Sequence, residues 1–329
     1  MGIQQPGQGD VHIDRPLTNI SLAFLQARDG FVADRAFPTV PVGKQTDKYF
    51  TYDRGAFNRD EMQKRAAGTE SAGATYTVST DNYGCDVYGL HVNVADQMRA
   101  NADSPLSPDR EATEFLSLKA LIRRERSWAA QYFATTVWTN ERAGVASSPT
   151  GTQFLRWDDA ASDPIKNVDD MGSTIQESTG FRPNRLILGR RTWDAIKNHP
   201  DIIGRIDRGQ TEGAARAARA TVAAIMELDE VLVMDGIVNT AIEGAANAHS
   251  FIGGKHALLV YAAPNPGLMV PSAGYTFTWS GLLGSNVLGT RISRFRMEHL
   301  KSDRIEIEQA FDHKKVAADL GGFFLNAVS

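Results

Sequence analysis

Ser107 to Trp138 reads SPDREATEFLSLKALIRRERSWAAQYFATTVW. Ser107 is a capping residue, and Pro108 follows at the first helical position, where its missing N–H has no partner to lose. Asp109 and Glu111 put negative charge in the first turn, where the helix dipole favours it. No further proline, and no glycine, occurs until Gly144. The spacing predicts one helix over 108–138, roughly 45 Å long, against about three turns for an ordinary globular helix. Phe115, Leu118, Leu121, Ile122, Ala129, Tyr132 and Phe133 fall on one stripe. Lys119, Arg123, Arg126, Ser127 and Gln131 take the other side. A rod with one apolar side lies along something flat. Glu125 interrupts the stripe. A carboxylate there is predicted to be structural, ion-paired to an Arg or Lys that fixes the helix register.

The chain around this helix has 329 residues, room for one large or two modest domains. It is 42% hydrophobic and 22% charged, ordinary for a soluble globular protein. A formal net charge of −4 argues against a dedicated nucleic-acid binder, though it leaves room for a local basic face. The single cysteine, Cys85, excludes an internal disulfide and a cysteine-based metal cluster, and fits synthesis in a reducing cytosol. No apolar run is long enough for a membrane span. Met1 to Asp14 is polar, without the charged and apolar regions of a signal peptide.

Upstream of the helix, Met1–Gly9 has the composition of a loosely held tail. A short apolar cluster follows (Leu17, Ile20, Leu22, Ala23, Phe24, Leu25), then an extended stretch ending in Pro38-Thr39-Val40-Pro41. Prolines at this spacing keep the backbone extended and forbid a central strand. Lys48–Tyr52 and Thr75–Ser79 read as strands around a charged, flexible tip. Such a hairpin is marginal alone and needs a neighbour to lean on. Tyr88, Leu90, Val92 and Val94 alternate as a strand, and Ser104-Pro105 marks a turn before the helix.

Downstream, from about Pro164, elements alternate. Ile165–Ser178 reads as a helix, Asn184–Gly189 as a buried strand, Arg191–Asn198 as a helix. Thr211–Met226 reads as an Ala-rich helix, with Glu230–Met234 and His256–Tyr261 as strands. This is an α/β unit of about a hundred residues. Tyr275–Trp279, Arg291–His299 and Asp303–Phe311 read as further strands, the last two as an antiparallel pair around Lys301-Ser302. Phe323-Phe324-Leu325 closes the chain.

Chemistry is hard to find. Gly253-Gly254-Lys255 lacks the upstream glycine of a phosphate loop, and the seven histidines show no ligand spacing. No G-x-S-x-G elbow occurs. Cys85 reads as a small buried hydrophobe. Asp158-Asp159 and Asp169-Asp170 read as solvated or capping acids rather than a cation site. Arg54, Arg59, Lys64 and Arg65 in the hairpin tip are diluted by Asp60, Glu61 and Glu70, which favours a protein–protein contact. No catalytic, cofactor-binding or metal-binding residue is assigned.

Arm, charged hairpin, single long helix, inserted α/β unit and returning strand pair together form a distinctive order. With Asn184–Ile203 (NRLILGRRTWDAIKNHPDII), Glu230–Asp235 and Arg304–Leu325, it resembles the major capsid proteins of tailed bacteriophages, of the Hong Kong 97 type. The resemblance implies an α+β fold with an N-terminal arm (1–43) and an extended β-hairpin loop (44–79). A peripheral domain (80–163 and 265–312) would carry the spine helix 108–138. An α/β axial domain (164–264) and a C-terminal return toward it (313–329) would complete the subunit. It further implies a non-enzymatic shell subunit with no cofactor, assembling with itself into hexamers and pentamers around double-stranded DNA held non-specifically. A portal and, as a further candidate, a decoration protein would be partners; no membrane would be. The place of assembly would be the host bacterial cytoplasm, and the final place the virion. Because the chain starts almost at the arm, a separate scaffolding protein is expected. Arg54, Arg59, Lys64 and Arg65 become subunit-interface candidates. Two alternatives remain: an encapsulin-type shell protein, and an α/β enzyme centred on residues 165–263.

Overall fold

The computed structural model describes residues 26–102, 106–206, 217–284 and 289–329. Met1–Gly9, the Leu17–Leu25 cluster, the Ser104-Pro105 turn and the start of the Thr211–Met226 helix lie outside the described residues. The strands are β1 (Thr39–Val42), β2 (Thr46–Tyr52), β3 (Val78–Gly84), β4 (Asp86–Ala95), β5 (Asn140–Val145), β6 (Gln153–Leu155), β7 (Arg185–Gly189) and β8 (Glu230–Met234). They continue with β9 (Ile237–Asn239), β10 (His249–Phe251), β11 (Ala257–Val260), β12 (Gly274–Trp279), β13 (Thr290–Met297), β14 (Ser302–Lys315) and β15 (Gly321–Leu325). The helices are α1 (Ala33–Ala36), α2 (Arg54–Phe57), α3 (Asp96–Asn101), the long α4 (Pro108–Tyr132), α5 (Pro164–Thr179), α6 (Arg190–Ile196), α7 (Pro200–Ile206), α8 (Arg219–Ile225) and α9 (Ser280–Leu283).

Two larger sheets organise the chain. A five-stranded sheet runs β1–β12–β14–β13, with β4 also paired to β14. A six-stranded sheet runs β6–β5–β15–β11–β7–β8. The second takes β5, β6 and β15 from outside 164–264, so the α/β unit is wider than those bounds. Local patterning cannot announce this, because β5 and β15 pair in parallel across nearly the whole second half of the chain. Strands β7, β8 and β11 are buried on both faces and read as continuous apolar runs for that reason. Leu186, Leu188, Val231, Val233, Leu259 and Phe324 face α5, α6 and α8 in one core. Ile187, Leu232, Leu258, Val260 and Phe323 face the end of α4 and the arm in another. Asp163 caps α5 by accepting from the Lys166 N–H at 2.9 Å, and Gly180, at φ 82°, ends it in the left-handed region.

Helix α4 ends at Tyr132, six residues before the predicted Trp138. The indole Nε1 of Trp138 donates to the Tyr132 carbonyl at 2.9 Å and closes the last turn. Thr136, at φ 65°, turns the chain so that Trp138 packs beneath Gly321, where any side chain would strike its ring. The buried line also differs from the predicted stripe. Ala112, Leu116, Arg124, Trp128 and Tyr132 are buried, with Ala120 partly so. A four-residue step drifts by about 40° per step around a helix of about 3.6 residues per turn, as on an i±4 ridge. The rod therefore crosses the five-stranded sheet obliquely and finishes on the six-stranded one. Phe115, placed on the predicted stripe, is 47% exposed. Leu118, Leu121 and Ile122 are half-buried. Ile305, Ile307 and Val94 form the floor under the first half of the rod.

Candidate assembly interface

The arm is fastened wherever it touches the body. Gln26 Nε2 donates to the Ile237 carbonyl at 2.9 Å, and the Ile237 N–H donates back to Gln26 Oε1 at 2.8 Å. Phe31, Val32, Ala33, Ala36 and Phe37 are buried. The Phe37 ring lies 4.7 Å from that of Tyr132 and 6.0 Å from that of Trp128. After Pro38 the arm continues as β1, an edge strand parallel to β12. Pro41 is tolerated there because an edge has a free side for the missing donor.

Glu125 sits fully buried beneath this arm. Its carboxylate accepts from the Val32 N–H at 2.9 and 3.1 Å and from the Ala33 N–H at 2.7 Å. These amides open α1, and the first amides of a helix have no partner within it. Among the described residues Glu125 thus meets backbone amides where an Arg or Lys was expected, while the buried cation beside it, Arg124, pairs with Asp34. Burial pushes the Glu125 carboxyl up to about 7; the Val32 and Ala33 hydrogen bonds pull it down, and the Asp34 charge pushes it up.

The hairpin is built differently. Its strands β2 and β3 pair antiparallel from Thr46–Gly84 to Tyr52–Val78. The return strand begins at Val78 rather than Thr75, because its register is set at the root. There Tyr83 stacks on Phe277 at 4.6 Å and Tyr49 Oη donates to Asp81 at 2.8 Å. Burial is the main cause raising the Tyr49 hydroxyl's pKa, with the Asp81 hydrogen bond adding to it. Cys85 is buried in the same cluster, and its thiol is pushed up to about 12, mainly by burial. It is therefore a packing residue and a poor nucleophile.

Beyond the root the hairpin has no core. Phe50 (61%), Phe57 (49%), Met62 (94%) and Tyr76 (61%) are exposed. Tyr52, Phe57 and Tyr76 touch one another, with centroids 5.6 to 6.3 Å apart. The interface candidates separate here. Arg54 bonds back to Asp319 at 2.9 Å, and Arg59 pairs locally with Glu61 at 3.7 Å. Lys64 and Arg65 are exposed and make no ion pair among the described residues. The sequence reading weighed the charges of the tip and passed over its apolar side chains; Phe57, Met62 and Tyr76, spaced without helical or strand period, were the available signal.

A catalytic grouping gains nothing from the geometry. Ser162 Oγ lies 3.1 Å from His199 Nε2, with Asp201 nearby. His199 Nδ1 accepts from the Asp201 N–H at 3.3 Å, and Nε2 faces the Asp159 carbonyl at 3.2 Å. That wiring puts the ring proton on Nε2, leaving no basic nitrogen toward the serine. The paired acids are occupied: Asp158 accepts from the Ser329 N–H, Asp159 from the Ala161 N–H, Asp169 pairs with Arg182 and Asp170 with Lys166. Among the described residues no group of His, Cys, Asp and Glu could hold a metal ion, and no helix is long and apolar enough to cross a membrane.

The family of phage major capsid protein E matches residues 152–271. The major capsid protein of Pseudomonas phage JBD67 is 28% identical over 322 residues, covering 96% of this chain and 97% of its own. A phage-related protein from Bordetella bronchiseptica superposes with a TM-score of 0.67 at 21% identity, over 91% of this chain and 92% of its own. The capsid protein of cyanophage P-SCSP1u superposes with a TM-score of 0.61 at 11% identity, over 99% and 96%. The fold is that of the Hong Kong 97-like capsid proteins.

Proposed function

We propose that this chain, a phage major capsid protein, builds an icosahedral head from hexamers and pentamers of itself around double-stranded phage DNA. The observation that carries this is the hairpin tip: a long projection whose large apolar side chains, Met62 at 94% exposure among them, stay exposed. A monomer gains nothing from displaying them, whereas a repeating neighbour would cover them. Whole-length similarity to a phage capsid protein supports the same reading over an encapsulin or an α/β enzyme.

In this reading residues 1–43 act as the arm and 44–79 as the extended loop. The five-stranded sheet with α4 is the peripheral domain, and the six-stranded sheet with α5–α8 is the axial domain. Lys64 and Arg65 contact a neighbouring subunit through their free charges. A scaffolding protein, a portal and a decoration protein are the further partners, assembly takes place in the host cytoplasm, and the subunit has no enzymatic role.

Expression of the full chain followed by electron microscopy tests the proposal. Closed shells are the expected result. A monodisperse small oligomer would overturn it, and shells loaded with protein cargo in place of DNA would favour the encapsulin alternative.

A further inference from the structure

Helix α4 has a second face that packing leaves unused. From Phe115 to Asn140 the chain carries Lys119, Arg123, Arg124 and Arg126 against one carboxylate, Glu125. Arg124 and Glu125 are turned inward under the arm. Lys119, Arg123 and Arg126 are turned outward and exposed. They stand at i, i+4 and i+7, a row about 10 Å long on one side of the rod. None makes an ion pair among the described residues, whereas Arg99, Arg190, Arg291 and Arg296 are each held by carboxylates. Two of the three are braced on rings: the Lys119 ammonium lies 5.2 Å from the Phe115 centroid and the Arg123 guanidinium 4.4 Å from that of Tyr88. Ser127 and Ala130 beside the row are small side chains.

The other side of the five-stranded sheet has a different character. There His91, Asn93, Arg304, Glu306 and Glu308 alternate with the residues under α4. Its charges are of mixed sign, with Arg291 paired to Glu308 at 2.5 Å and Arg304, hydrogen-bonded to Asn93 at 2.9 Å, beside Glu306 in the strand.

We infer that the Lys119–Arg123–Arg126 row faces the interior of the shell and lies against the phosphate backbone of the packaged DNA, with the His91–Glu306 face turned outside. This rests on the shell reading above and adds to it an orientation for the subunit. A row of cations with no interspersed acid suits a polyanion of uniform charge, about one per 1.7 Å of duplex, better than a protein surface of mixed sign. With no groove or donor array to read a base edge, the contact is independent of DNA sequence. A subunit of net charge −4 then repels DNA over most of its surface and meets it along one narrow ridge.

Cysteine labelling reads the orientation directly, because the one native cysteine, Cys85, is fully buried. Lys119→Cys and His91→Cys are introduced separately, and intact filled heads are treated with a maleimide on a polymer too large to enter. His91→Cys is expected to react and Lys119→Cys to react only after the heads are opened. Labelling of Lys119→Cys in intact heads overturns the inference. A second arm reads the partner with Lys119→Glu/Arg126→Glu and the milder Lys119→Gln/Arg126→Gln. Both are expected to form shells of normal size, with DNA-filled heads reduced about tenfold or more for the glutamate pair and less for the glutamine pair. An undiminished yield of filled heads overturns the inference. So does failure of both pairs to form shells before DNA enters, which would assign the row to an acidic protein. Failure of the unaltered chain to form shells would instead refute the shell reading.

Discussion

The junction beneath the arm and the tip of the hairpin are both rich in charge in the sequence, and they resolve it in opposite ways. At the junction Glu125 and Arg124 are drawn into a dry setting and given partners, the latter the half-buried Asp34. Trp128, Tyr132 and Phe37 fill the space around them. At the tip, side chains as apolar as Met62 and Phe57 are left in water. The junction is closed within the chain; in the proposed shell the tip would be closed by a neighbour. Mutations should therefore act on stability at one place and on association at the other.

The largest effect belongs to the junction. Trp128→Ala removes a fully buried ring from the core beneath the arm, and should cost about 3–5 kcal/mol. A fall in thermal midpoint of only a degree or two would show that the arm closes over the cavity.

The next concerns pH. The Glu125 carboxyl rises from an ordinary 4.5 to about 7 in the folded chain. Between those values the folded state holds a proton that the unfolded state has lost. Its contribution therefore declines as pH rises through this window and levels off above 7, by on the order of 3 kcal/mol in all. Buried His313 works against it: burial lowers that imidazole to about 3, so the folded chain loses stability as pH falls below the ordinary histidine value of 6.5. The two opposing slopes should nearly cancel in the wild type. Melting of the Glu125→Gln variant alongside it, at pH 5 and pH 8, isolates the carboxyl. An identical pH dependence for both proteins would mean that Glu125 is ionised throughout.

Smaller again is Glu125→Ala, which strands the Val32 and Ala33 amides and should cost about 2 kcal/mol. Its signature is faster proteolysis at Arg28 and Arg35 in the arm, with the hairpin cut at an unchanged rate. The smallest effect on the isolated subunit comes from Met62→Ser with Lys64→Ala. Neither side chain has a buried contact to lose, so stability should stay within about 0.5 kcal/mol. The yield of closed shells should nevertheless fall. Wild-type yield from this double variant would remove the tip from the assembly interface.

Much of the fold was legible where one segment decides its own fate. Glu230–Met234 is the strand the sequence predicts, residue for residue, because burial on both faces demands an unbroken apolar run. The turn at Lys301 was readable between two alternating strands, and Lys301 takes φ 43° there. Decisions made at a distance were not readable. The i±4 drift of the α4 contact line depends on the angle at which the rod crosses its sheet, and a stripe drawn for a straight helix misplaces Phe115. The partner of Glu125 lies 93 residues away and is backbone, which carries no sequence signature. Arg54 finds Asp319 across 265 residues. The interface candidates were chosen by charge, yet the tip is marked more strongly by what is apolar.

Strand β15 lies between β5 and β11, in the middle of the six-stranded sheet, and it is the last of the six to leave the ribosome. Until Gly321–Leu325 leaves the ribosome, β5 and β6 have nothing to join and the sheet stays in two pieces. The sheet thereby waits for a segment synthesised long after β5 and β6. A polypeptide that stops short of Gly321 lacks the one strand that joins β5 and β6 to β11, so a truncation this small leaves the whole sheet divided.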